Sequence, residues 1–241
     1  REAAGSAVAR QGEATTTRMI LNWNEPLAGG VQAAYEDADL LVLQKPSGLL
    51  CVPGRGPDKQ DCLSARAQER WPGALIVHRL DQATSGLVLM ARHIDMQRRL
   101  SHAFAERQVH KRYQAVVQGL LGPAEQTWQE IDLPIAADWE RRPLRVIDPA
   151  VGKPSLTRWR LRAQDPVAGT THVELEPVTG RTHQLRVHLA AIGHPILGDA
   201  LYADAATQAQ APRLLLHASH LAFTHPGTGA WLAVEWAAEF E

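Results

Sequence analysis

Residues 75–90 read LIVHRLDQATSGLVLM, in which two apolar runs, Leu75-Ile-Val77 and Gly86-Leu-Val-Leu-Met90, enclose the polar stretch His78 to Ser85. Short apolar runs bounded by turn-forming residues predict buried strands, so the segment reads as a strand, a chemically rich loop and a second strand. A carboxylate at such a junction, here Asp81, can be held rigidly at the floor of a cleft, and His78, Arg79 and Thr84 share its loop. The same residues admit a plainer reading, in which Asp81 caps a turn and Arg79 is its ion-pair partner.

Upstream, Asp39-Leu-Leu-Val-Leu-Gln44 predicts a buried strand closed by the turn Lys45-Pro-Ser-Gly48, and Asp61 to Arg70 a short helix stopped by Trp71-Pro72-Gly73. Downstream, residues 94–106 place Met96, Leu100, Ala103 and Phe104 on one helical face. Val109 to Gln118 alternates as a strand, with Tyr113 on the side of Ala115 and Val117. Further strands are predicted at 156–162, 171–176, 213–217, 219–224 and 230–236, and a helix at 182–193 with Leu185, Leu189 and Ile192 inward. Arg181, Gln184 and His188 then share its opposite face, either to anchor an anion near the helix start or simply as a polar outer face. Strands outnumber helices without regular βα alternation, which predicts an α+β fold with a mixed, largely antiparallel sheet. Residues 1–30 are small, polar and aperiodic, and read as a flexible leader before one domain over 31–241.

The chain of 241 residues is 45% hydrophobic and 21% charged, an ordinary globular composition that excludes wholesale disorder. No apolar run approaches the roughly 20 residues of a membrane span, and the N-terminus lacks the pattern of a secretory signal. Cys51 and Cys62 match neither a disulfide framework nor a zinc site, so reduced thiols and a cytoplasmic location are expected. A formal charge of −1 argues against a broadly basic RNA coat protein, but the average conceals a pattern. Residues 76–162 carry 14 basic and 9 acidic side chains, a local excess of +5. Within it Arg141, Arg142, Arg145, Lys153, Arg158, Arg160 and Arg162 face a single acid along the chain, Asp148. Arginine suits planar, bidentate contacts with phosphates and bases. The glycine-rich, nucleophile-elbow and paired-histidine motifs of common cofactor and metal enzymes are absent. His183, His188 and His194 have no carboxylate or cysteine at ligand spacing, so neither a cofactor nor a metal is predicted.

His78-Arg-Leu-Asp-x-x-Thr-Ser-Gly86 resembles the signature loop of the RluA-type pseudouridine synthases. Lys45-Pro-Ser-Gly48, Lys111-Arg-Tyr113, Gly180-Arg-Thr-His-Gln-Leu-Arg186, Gly193-His-Pro-Ile-Leu-Gly-Asp199 and Arg213-Leu-Leu-Leu-His-Ala218 resemble further motifs of that family, in family order, across residues 39–226. Ser47 to Arg55 and Leu133 to Trp139 resemble the RluA subgroup itself. The resemblance implies the pseudouridine synthase fold with its central cleft, without the N-terminal S4 RNA-binding domain of many relatives. It implies isomerisation of uridine to pseudouridine in stem-loops of 23S ribosomal RNA and the anticodon arm of tRNA, with no cofactor and no metal. On the same basis Asp81 is the catalytic aspartate, Arg181 the arginine paired with it, and Tyr113 the aromatic that stacks on the target base and assists removal of its C5 proton. Arg79 fills the space left by the flipped nucleotide. His78, Thr84, His183 and Arg186 contact RNA, and Leu216 forms an apolar wall across the base, with plain strand core as the alternative for Leu216. The implied partner is structured RNA, with no membrane, and the expected state is a monomer. Two other classes stay open: a non-catalytic RNA-binding or chaperone protein on the same fold, and a metal-dependent hydrolase built on the histidines.

Overall fold

The apolar runs that frame Asp81 lie in a ten-stranded sheet in the computed structural model, which describes residues 31–122 and 127–240. The leader expected over 1–30 lies outside the described residues. In chain order the first half contains β1 (Gln32–Glu36), β2 (Leu40–Lys45), α1 (Leu63–Arg70), β3 (Leu75–Ile76), β4 (Ser85–Ala91), α2 (Ile94–Ala105) and β5 (His110–Gln118). The second contains β6 (Gln129–Asp132), β7 (Ile135–Ala137), β8 (Arg145–Ile147), β9 (Leu156–Asp165), β10 (Thr170–Pro177), α3 (Gln184–Ala191), α4 (Ala205–Gln208), β11 (Leu216–Thr224) and β12 (Trp231–Glu235). The main path across the sheet is β1-β2-β4-β11-β5-β10-β9-β6, with β12 paired to β11 and β3 to β4, while β7 and β8 form a separate hairpin. Among the described strand pairs only β4 and β11 run parallel, apart from an isolated parallel bridge between Leu50 and Cys62. The fold is α+β, as the sequence predicts.

Every residue of β2 and β4 is buried. On one face Leu41, Leu43, Val88 and Met90 pack with Leu63, Ala67 and Trp71 around α1. On the other, Leu40, Val42, Leu87 and Leu89 pack with Met96, Leu100 and Ala103 of α2. A strand covered on both faces loses its alternation and reads as a continuous apolar run, and each fully buried Leu or Val contributes roughly 1.5–3 kcal/mol. At the other end Ala115, Val117, Val173 and Leu175 pack beneath Leu185 and Leu189 of α3.

β11 joins these halves, pairing with β4 through Ala218↔Gly86 and with β5 through Ala218↔Tyr113. Gly86 has φ +126°, and a Cβ there would overlap the backbone N and O of Ala218. The glycine therefore lets the signature loop return beside β11 at the level of Tyr113, which brings Asp81 and Tyr113 to one cleft.

Two departures from the sequence reading have local causes. The strands predicted at 213–217 and 219–224 are one strand, Leu216–Thr224, whose register slips between Ala218 and His220. That irregularity breaks the alternation and so resembles a strand boundary. The helix predicted from 182 begins at Gln184, because His183 takes a left-handed conformation, φ 57° and ψ 16°. Arg181 consequently lies in the preceding loop and shares no helical face with Gln184 and His188. Nor do those two face solvent: Gln184 to Leu189 are all buried. Gln184 donates to Leu156 O (2.9 Å) and Thr157 Oγ1 (3.0 Å) and accepts from Thr179 Oγ1 and Arg181 N, while His188 bonds Thr157 Oγ1 and Leu133 O, both at 2.9 Å. Their polar face fastens α3 to β9.

No helix among the described residues is long and apolar enough to cross a membrane.

Candidate active site

The loop that carries Asp81 is held from below by the Lys45-Pro-Ser-Gly48 turn. Lys45, with no exposed surface, donates from Nζ to the carbonyls of Pro46 (2.9 Å), Leu49 (2.7 Å) and Gln82 (3.0 Å). Ser47 Oγ donates to Ala83 O at 2.7 Å, Gly48 N to Gln82 O at 2.8 Å, and Gln82 Nε2 to Gly48 O at 3.0 Å. Leu80 N is capped by Cys51 Sγ at 3.2 Å, and Thr84 N closes a turn on Asp81 O at 3.1 Å. The two residues that flank Asp81, Leu80 and Gln82, are thus both anchored, and its carboxylate is left to face a pocket of about 290 Å³. That volume is near the lower end of small-ligand sites.

His78, Arg79, Asp81, Thr84, Tyr113, Arg181, His183, Arg186 and Leu216 all line this pocket, so the site residues that the family resemblance implies converge on it. Their roles divide differently from the expectation. The arginine beside Asp81 is Arg186, whose Nη1 lies 3.7 Å from Asp81 Oδ2. Arg181 is exposed and turns its Nε and Nη2 toward Pro154 O, both at 3.4 Å. The predicted pairing of Arg181 with Asp81 is therefore corrected to Arg186. Arg79, exposed on the pocket wall, is not the ion-pair partner of Asp81 either.

Arg186 is 4% exposed and is itself held by Asp199, through Nε to Oδ2 at 2.8 Å and Nη2 to Oδ1 at 2.6 Å. Asp199, fully buried, also takes the backbone N–H groups of Leu201 (2.9 Å) and Tyr202 (3.2 Å). The attraction of Asp199 and Asp81 keeps the guanidinium firmly protonated against the cost of burial. On the other side of Asp81, His183 Nε2 lies 3.9 Å from Oδ1, and its Nδ1 bonds Tyr202 Oη at 2.6 Å. Burial lowers the pKa of His183 and favours the neutral ring. Asp81 thus faces one full cation and one neutral imidazole.

Tyr113 packs against two of the three core clusters, those under α1 and α3, and burial, reinforced by the charge of Asp81, pushes its phenol far above the usual range. It presents a neutral aromatic face and a hydroxyl. His78 accepts from Leu89 N at Nε2 (2.9 Å) and stacks on Phe104 with ring centroids 4.5 Å apart. Burial and the Lys111 ammonium depress its pKa to about 3, so it is neutral. The structure thus adds Phe104, Asp199 and Tyr202 to the site and its support, and places Lys111 of the Lys111-Arg-Tyr113 motif on the pocket wall. Phe104 read as helix core and Asp199 only as the end of a motif; Tyr202 carried no local signal.

The arginine run also divides. Arg160 and Arg162 lie with Arg112 around Glu174, on the sheet face opposite to Tyr113, since Tyr113 pairs across with Leu175 and Leu175 with Trp159. Arg158 pairs with Glu130 (3.0 Å) and Glu176 (3.8 Å), and Arg141 with Asp138. For Arg158, Arg160 and Arg162 the acids arrive from other strands, and for Arg141 from the same hairpin. The positive charge at the pocket comes instead from Arg79, Lys111, Arg181 and Arg186. Among the described residues no cluster of His, Cys, Asp and Glu could hold a metal ion.

The pocket therefore sets a carboxylate beside a fixed arginine, with a neutral tyrosine on its wall. The family model of RNA pseudouridylate synthases matches residues 39–191. The dual-specificity RNA pseudouridine synthase RluA of Haemophilus influenzae is 41% identical over 221 residues, covering 92% of this chain and 99% of that protein. The protein of the same name from Escherichia coli K12 is 43% identical over 219 residues, covering 91% and 98%. Among solved structures, the human RNA pseudouridylate synthase domain containing 1 superposes with a TM-score of 0.70 at 30% identity, covering 88% of this chain and 86% of that one.

Proposed function

The chain belongs to the RNA pseudouridylate synthase family, and from that premise we propose that it isomerises uridines in RNA stem-loops, with Asp81 as the catalytic aspartate. The observation that carries this reading is the fixed approach of Arg186 Nη1 to Asp81 Oδ2 inside the pocket that Tyr113 closes. The reaction breaks the bond from ribose C1′ to base N1, turns the base and joins C1′ to C5; the C5 proton is lost to solvent and N1 takes one up. The exchange is between two positions of one nucleotide, so no net group is consumed.

The target atoms are inaccessible in a stacked strand, so the nucleotide must leave the stack at a cost of a few kcal/mol. A 290 Å³ pocket with Tyr113 and Leu216 on its walls suits an extruded base. Arg79, exposed on the wall, is placed to fill the vacated stack, where a guanidinium can both stack and bond phosphate. A carboxylate that must stay anionic in a poorly solvated pocket needs an opposing cation, which is the role assigned to Arg186. Tyr113 acts as a neutral stacking face and hydrogen-bond donor, since its phenol stays protonated across the physiological range. Arg181 becomes an RNA contact on the pocket rim, and His78, Thr84 and His183 shape the wall.

By the subgroup resemblance the substrates are stem-loops of 23S ribosomal RNA and the tRNA anticodon arm. The same reading makes residues 31–241 one catalytic domain, acting in the cytoplasm as a monomer with structured RNA as its partner. The test is release of tritium from RNA labelled at uridine C5. The wild-type chain releases it, while Asp81→Asn binds the same RNA and releases none. Tritium release by Asp81→Asn at the wild-type rate would remove Asp81 from the chemistry, and no release by the wild-type chain would favour a non-catalytic RNA-binding protein.

A further inference from the structure

Beside the catalytic pocket lies a second cavity of about 730 Å³, lined by the β7–β8 hairpin on one side and by Gly180, Arg181 and Thr182 on the other. Gly180 and Arg181 belong to the walls of both cavities. At the hairpin tip Trp139 is 72% exposed, a large apolar ring where folding alone would favour a polar residue. The guanidinium of Arg142 lies over the ring, 4.0 Å from its centroid. Val151, 74% exposed, lines the same cavity.

The tip is rigidly built. Asp138 accepts from Arg141 N (3.0 Å) and Arg141 Nε (2.8 Å), and its own N–H reaches Leu144 O at 3.1 Å. The hairpin is also tied to the catalytic centre, because Arg145 N donates to Tyr202 Oη (3.0 Å), whose other neighbour is His183 (2.6 Å). The surround is cationic: Arg145, Lys153 and Arg181 line the cavity, against one carboxylate, Asp148, which is already occupied by the N–H groups of Ala150 and Val151.

Resting on the reading of this chain as an RNA uridine isomerase, we propose that Trp139, backed by Arg142, is a stacking platform for an unpaired base neighbouring the target nucleotide. The phosphates on either side of that base are held by Arg145, Lys153 and Arg181. An exposed aromatic ring among Arg145, Lys153 and Arg181, none of which has an ion-pair partner among the described residues, fits the two parts of a single-stranded nucleotide, a π face and a charged backbone. The shared Gly180–Arg181 wall makes the two cavities adjoining sites on one strand, so that a loop opened to admit the target lays the next base on Trp139.

The experiment uses the full chain and a tRNA anticodon-arm stem-loop carrying tritium at uridine C5, in a series in which each loop nucleotide in turn is abasic. On the intact RNA, Trp139→Ala raises KM about 5- to 150-fold, the range set by loss of one base–aromatic stack. The effect lies in KM rather than kcat, and Trp139→Phe recovers most of it. One abasic position costs the wild-type chain a similar factor and costs Trp139→Ala nothing more, as required of two groups in contact. An unchanged KM in Trp139→Ala, or losses that multiply at every abasic position, overturns the platform. If the wild-type chain releases no tritium the isomerase reading fails instead, and equilibrium binding of the same series judges the platform by the same criterion.

Discussion

Arg186 and Asp199 are joined by two hydrogen bonds, Nε to Oδ2 at 2.8 Å and Nη2 to Oδ1 at 2.6 Å, in a site from which solvent is excluded. This fork uses two of the three guanidinium nitrogens and aims the third, Nη1, at Asp81. Position is therefore fixed by Asp199 and charge is delivered to Asp81. Arg186→Lys keeps the charge but cannot form the fork. It should lower kcat for tritium release by about 100-fold, the usual penalty for a misplaced group. Asp199→Asn should act in the same direction while also destabilising the fold, because removing one partner of a buried pair costs about 3–5 kcal/mol. Arg181→Ala should raise KM instead. A kcat loss in Arg181→Ala, with Arg186→Lys unaffected, would restore the arrangement expected from the sequence.

At Gly86 the backbone φ of +126° and the approach of Ala218 act together. Gly86→Ala should destabilise the chain by more than about 3 kcal/mol, combining the strained conformation with a contact that only a shift of β11 can relieve. Urea denaturation checks this. A midpoint close to wild type would mean that β4 and β11 can part without consequence, against their role in aligning the two halves of the site.

The strands that frame Asp81 were legible because burial on both faces leaves an unbroken apolar run, and the signature loop stood out between them. The partner of Asp81 was misread for a reason of backbone geometry. A continuous helix from 182 puts Arg181 with Gln184 and His188 and leaves Arg186 on a different side. The left-handed turn at His183 removes Arg181 from the helix, and the burial of both sides of α3 makes the polar positions interior. Charge was misread because partners in a sheet are non-local: Glu174 gathers Arg112, Arg160 and Arg162 from two neighbouring strands. The short strands β6 to β8 lack a clear apolar alternation, and so did not register as strands. Their hairpin nevertheless carries Trp139.

Lys45 is buried to supply three carbonyls with a donor, one of them that of Gln82, next to Asp81. Desolvation lowers its pKa to about 8, which shows how unfavourable the buried charge is. Lys45→Met removes that cost and leaves the three carbonyls without their donor, so the two effects oppose. The expected net destabilisation is only about 1–3 kcal/mol. The loss of kcat should be larger than this implies, since the loop that presents Asp81 is released. Turnover measured well below the unfolding temperature separates the effects. A variant that folds and retains wild-type kcat would show that the Lys45 turn does not position the loop.

Two buried histidines predict how stability responds to acid. Burial depresses the pKa of His78 to about 3 and that of His217 to about 4, against 6.5 for the exposed ring. His78 Nε2 accepts from Leu89 N–H and so has no free lone pair for a second proton, while His217, between Ser85 Oγ (2.9 Å) and Trp236 O (3.1 Å), is kept neutral by burial. Below pH 6.5 the unfolded chain binds protons that the native chain refuses, and stability rises with pH wherever the unfolded state binds more. These histidines therefore oppose folding increasingly as pH falls from 6.5 toward about 4, and leave it unaffected above 7. Each removes about 2 kcal/mol by pH 5, from roughly 1.4 kcal/mol per pH unit per proton. Urea midpoints at pH 7 and pH 5 should differ accordingly. His78→Gln, whose amide oxygen can still accept from Leu89 N–H and which does not titrate, should show a smaller drop between the two pH values. An equal drop in His78→Gln and wild type would show that His78 takes up its proton in the folded state.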